Sequence, residues 1–105
     1  MPPKRSSNPV YSIIANQSYG LYAGPVQSYD PATKVALVTE CRHVSRWFGK
    51  TGGITSLAAH GLCGPQADDS RIGAPAPGVS TLSGVVNIFP CSAEARASIE
   101  AAKQS

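Results

Sequence analysis

A chain of 105 residues with 14% charged side chains and a net charge of +3 is the size of one small domain. So modest a positive balance argues against a long duplex-binding surface, and no apolar run approaches the roughly 20 residues of a membrane span. The charged fraction lies below the usual level of about 25%, which favours association with further copies of the same chain.

In chain order, residues 1–9 are Pro, Ser, Asn and base, and predict a disordered arm ahead of a single α+β domain at 10–105. They lack an apolar leader, so the odd set Cys41, Cys63 and Cys91 is expected as free thiols in a reducing cytoplasm. Residues 10–15 (VYSIIA) predict a first strand. Residues 19–28 predict a second, with a bulge or bend near Gly24-Pro25, because proline cannot donate to a central ladder. An Asp-Pro turn at 29–33 leads to the strongest strand pattern, 34–44. There Val35, Leu37, Thr39, Cys41 and His43 share one face, and Ala36, Val38, Glu40, Arg42 and Val44 the other. Short connections between these strands predict an antiparallel meander.

Ile54, Leu57 and Ala58 mark the buried stripe of a helix over 54–60, closed by Gly61 in the left-handed conformation. Residues 63–78 are rich in Gly, Pro, Asp and Ser and predict a loop; residues 79–89 predict another strand, ended by Pro90. Ser92 is a natural N-cap, with Glu94 in the first turn of a last helix running to about residue 102. The expected fold class is therefore α+β: a small antiparallel meander with one short middle helix and one C-terminal helix packed on it.

The chemistry is concentrated in residues 40–62. Arg42, Arg46 and Lys50 recur at four-residue spacing, Trp47 and Phe48 lie between them, and no Asp or Glu occurs from Cys41 to Ala67. Guanidinium forks take phosphate oxygens in pairs, and a flat ring stacks on a base for roughly 1–3 kcal/mol. A ligand both anionic and aromatic, such as a nucleotide, fits that set. The plain alternative is solvated charge, an Arg42–Glu40 pair and one ring in the core.

Gly49-Lys50-Thr51-Gly52-Gly53 lacks the spacing of a Walker A loop, and what remains is a helix opening in which Thr51 or Gly52 caps and backbone amides face an anion. Tyr22, near Gly20 and Gly24, is a candidate for the wall of an interface pocket, against ordinary strand packing. Cys41-x-His43 with His60-x-x-Cys63 is off the usual zinc template. The acids Asp30, Glu40, Asp68, Asp69, Glu94 and Glu100 form no recognisable catalytic set with two histidines. No catalytic residue, metal or cofactor is expected.

Glu40-Cys41-Arg42, Trp47 with Gly49, Leu57-Ala58 with Gly61, and Ile88-Phe89-Pro90-Cys91-Ser92 before Ala93-Glu94-Ala95 resemble the pattern of a small, mostly uncharacterised family of phage-encoded proteins. The likeness covers roughly residues 19–102. It departs at the Pro-rich stretch 73–78 and at Ile54, where the pattern has Leu. The pattern is also similar to the first Thoeris anti-defence family. That resemblance implies a hexameric, non-enzymatic sponge that sequesters glycocyclic ADP-ribose or a cyclic oligonucleotide in pockets between subunits. Together with the composition, the expectation is a role in the host cell cytoplasm, with no membrane and no duplex nucleic acid as partner. The ligand-facing residues would be Arg42, Arg46, Trp47, Phe48, Lys50, Thr51, Gly52 and Tyr22, with Arg42 alone matching the motif. A virion or assembly component, or a small single-strand-binding module, are the competing expectations.

Overall fold

The computed structural model describes residues 9–17, 20–47, 53–64 and 70–102. Seven antiparallel strands and two helices follow in the order β1 (Val10–Asn16), β2 (Gly20–Asp30), β3 (Val35–Thr39), β4 (Arg42–Arg46), α1 (Ile54–His60), β5 (Arg71–Ile72), β6 (Val79–Leu82), β7 (Val85–Pro90) and α2 (Ala93–Glu100). The fold is α+β, as the alternation of strand and helix signals implies. The expected arm falls almost wholly outside the described residues.

β1 lies between β2 and β7, and adjacent side chains on it serve two cores. Ile13 joins Tyr11, Ala23, Val44, Ile72 and the helix residues Leu57 and Ile99. Ile14, on the opposite face, joins Ala36, Val38, Cys41 and Val85. Both isoleucines are fully buried, each such side chain being worth roughly 1.5–3 kcal/mol.

Two expected strands are each broken in two. Residues 34–44 do not run straight: Glu40 adopts φ +48, the left-handed region, and separates β3 from β4. This kink resets the alternation. Cys41 is thereby buried with Ala36 and Val38 rather than with Val35 and Leu37, while Arg42 and Val44 turn toward the helices. Residues 79–89 divide at Ser83-Gly84, where Gly84 has φ +67; β6 pairs with β3 and β7 with β1. The expected irregularity at Gly24-Pro25 is displaced to between Val26 and Ser28.

Gly24-Pro25 marks something else. Along one side, β2 pairs with β4 through Leu21–Ala23 and with β3 from Val26 onward. Pro25 sits opposite Tyr11, whose carbonyl accepts from the Cys91 N–H and so faces away from β2. In an antiparallel ladder the missing Pro25 N–H then faces the gap where β4 gives way to β3, so no ladder bond is lost.

The expected loop 63–78 contains β5, and its described part continues alongside β4: Gly73 N–H donates to His43 O and Ala76 N–H to Cys41 O. α1 has its expected bounds, but its N-cap is Gly53, with no side-chain cap; Thr51 and Gly52 lie outside the described residues. Gly61 closes α1 with positive φ as expected, yet with ψ −160, outside the left-handed helical well. Ser92 caps α2 by accepting from Ala95 N–H at 3.0 Å, and its hydroxyl donates to Ala59 O at 2.7 Å, so one serine fastens the end of α1 to the start of α2.

Candidate functional site

The corner after β3 is where the sequence concentrates cations and rings, and Arg42 is its centre. The side chain is turned inward and 4% exposed. Its Nε donates to Gly73 O at 2.6 Å, Nη1 to Ile99 O at 2.7 Å and Glu100 O at 3.4 Å, and Nη2 to Ala102 O at 3.0 Å and Ile72 O at 3.4 Å. Five N–H groups meet five backbone carbonyls, three of them at the C-terminal end of α2. The expectation that Arg42 holds a phosphate is thus corrected: the guanidinium satisfies the last carbonyls of α2 and the β5 segment. No ion pair joins it to Glu40 among the described residues.

Arg46, two pairs further along β4, is exposed and stands opposite Arg71 of β5 in the ladder register. Trp47 is half-buried and packs against the helix-side core. Tyr22 is half-buried against the other core, and its ring lies 5.1 Å from that of His43, its neighbour in the β2–β4 register. Tyr22 therefore belongs to a different face from the Arg42 guanidinium. Phe48, Lys50, Thr51 and Gly52 lie outside the described residues. The structure brings Arg46 and Trp47 to the end of β4, and separates Arg42 and Tyr22 from them.

Sequence reasoning missed Arg71. Its strand is two residues long and embedded in a Gly/Pro-rich stretch, so periodicity gives almost no signal. It also passed over Tyr11 as packing. Tyr11, Glu40, Arg42, Pro75 and Glu100 line a cleft of about 150 Å³ beside the C-terminal end of α2. Tyr11 is 6% exposed, and its hydroxyl has no hydrogen-bond partner among the described residues. Burial, with the Glu100 charge adding to it, pushes the phenol up to about 12, so it stays a neutral donor. The Arg96 guanidinium lies 5.2 Å from the Tyr11 ring centroid and also bonds the Glu100 carboxylate at 3.0 Å.

Burial raises the Cys41 and Cys91 thiols to about 11, which makes them poor nucleophiles at neutral pH. Among the described residues no three His, Cys, Asp or Glu side chains are grouped to hold a metal, and no helix is long and apolar enough to cross a membrane. Residues 10–99 match the family model described as a domain of unknown function, DUF6948, and the chain belongs to that family. No curated protein and no solved structure matches the chain.

Proposed function

We propose that this member of the DUF6948 family is a non-catalytic binding protein that sequesters a cyclic nucleotide immune signal, the role of the phage anti-defence sponges it resembles. The observation that carries this reading is the opposition of Arg46 and Arg71 across β4 and β5. The β4–β5 register shifts between Val44 and Arg46, so the two arginines sit at an irregular end of the ladder, where neighbouring like charges are unfavourable. A phosphate between the two guanidinium groups converts that repulsion into charge-assisted hydrogen bonds. The half-buried Trp47 indole borders Arg46 in sequence and offers a ring toward a base. Arg42 is replaced by Arg71 as the second cation of the site.

A sponge acts by lowering free signal below what its effector needs, so it must bind more tightly than the effector does. Titration calorimetry with glycocyclic ADP-ribose and with a cyclic trinucleotide tests the reading on the full chain. Saturable binding is expected, with the nucleotide recovered unchanged afterwards. Arg71→Ala and Arg46→Ala are each expected to weaken it at least tenfold. Heatless titrations for the wild type, or undiminished affinity in both variants, would overturn it.

A further inference from the structure

We propose that the cleft lined by Tyr11, Glu40, Arg42, Pro75 and Glu100 binds a small ammonium compound that carries a hydrogen-bond acceptor at its other end. This is a site separate from the Arg46–Arg71 pair, and it stands whether or not that pair binds nucleotide. A cavity of about 150 Å³ holds a molecule the size of benzene, roughly six non-hydrogen atoms.

The polarity of the walls selects the ligand. At the buried wall the Tyr11 hydroxyl, with no partner among the described residues, offers a proton to an acceptor. The natural anion receptor, Arg42, has no N–H left to give, because all five meet backbone carbonyls. An anionic ligand would therefore meet two carboxylates without a free donor from the one buried cation. Glu40, by contrast, is exposed on its left-handed turn and forms no ion pair among the described residues. Glu100 is already held by Arg96. The free carboxylate of Glu40 is thus the group that receives the ammonium. Pro75 supplies an apolar wall for the carbon stem between the two ends.

The probe is glycinamide, whose amide oxygen and ammonium lie at opposite ends, titrated into the full chain and followed by backbone amide shifts. Acetamide, which lacks the ammonium, is the control. Saturable shifts are expected at Glu40, Cys41, Ala76 and Glu100, with acetamide binding at least fivefold more weakly. Tyr11→Phe removes only a hydroxyl without a described partner, so it is expected to fold with a wild-type pattern of dispersion and to bind glycinamide about tenfold more weakly. Glu40→Gln, on the exposed turn, is expected to reduce glycinamide affinity to the level of acetamide. No saturable shift at these amides in the wild type, equal affinity for both probes, or wild-type affinity in both variants would overturn the proposal.

Discussion

Arg42 shows how a residue that reads as a ligand contact becomes a structural tie. Its place in a basic, ring-bearing segment invites a phosphate, yet a buried guanidinium with five carbonyl partners is fully spent. What the segment's composition does not show is the end of α2, more than fifty residues further along the chain, which brings three carbonyls, of which Ile99 O also accepts from the Ala102 N–H at 3.1 Å. Arg42→Met keeps the length and apolar stem of the side chain but strands those carbonyls. We expect it to cost roughly 3–5 kcal/mol, a large part of the stability of a domain this small, measured by urea denaturation. A ligand-facing arginine would leave the unfolding midpoint nearly unchanged when no ligand is present.

At the scale of elements, the sheet depends on β2 changing partners in mid-strand. Gly24 stands at that change. A Cβ there would lie 2.7 Å from Val38 Cγ1 and 2.9 Å from the Thr39 carbonyl oxygen, and a backbone atom cannot swing aside as a side-chain tip can. Gly24→Ala should therefore destabilise by about 1–3 kcal/mol, with amide exchange in β3 and β4 accelerating before that in β1. Equal acceleration across all strands would show that the contact is not local to the crossing. Helix positions were easier to read than this. Ile54, Leu57 and Ala58 recur at helical spacing, and Ser92 can cap α2 from its immediate neighbours. The split at Glu40 had no comparable local signal, while the Ser83-Gly84 pair is a turn signal that the apolar residues on both sides of it outweighed.

For the whole molecule, a buried thiol, a half-buried thiol and a buried phenol link stability to alkaline pH. Cys41 and Cys91 ionise near their ordinary value of 9.0 in the unfolded chain but at about 11 when folded, and Tyr11 moves from 10.0 to about 12. Between these values the unfolded chain holds fewer protons, so rising pH favours unfolding. The contribution is fully present below about pH 9 and is lost progressively as pH climbs through 11 and 12. Urea midpoints should fall over that range, and the fall should be shallower in a Cys41→Ala, Cys91→Ala double variant referenced to its own midpoint at pH 7. Parallel profiles would remove the thiols as the cause.

The sequence by itself determined the fold class, the strand β1, the bounds of α1 and the cap of α2, because each follows from residues adjacent on the chain. Which strand pairs with which, the inward turn of Arg42, the register that sets Arg46 against Arg71, and the cleft at Tyr11 were decided only by tertiary structure. Hydrogen-bond partners and opposing charges that are distant in sequence leave no trace in local periodicity, and the left-handed turn at Glu40 shifts which face each later side chain joins.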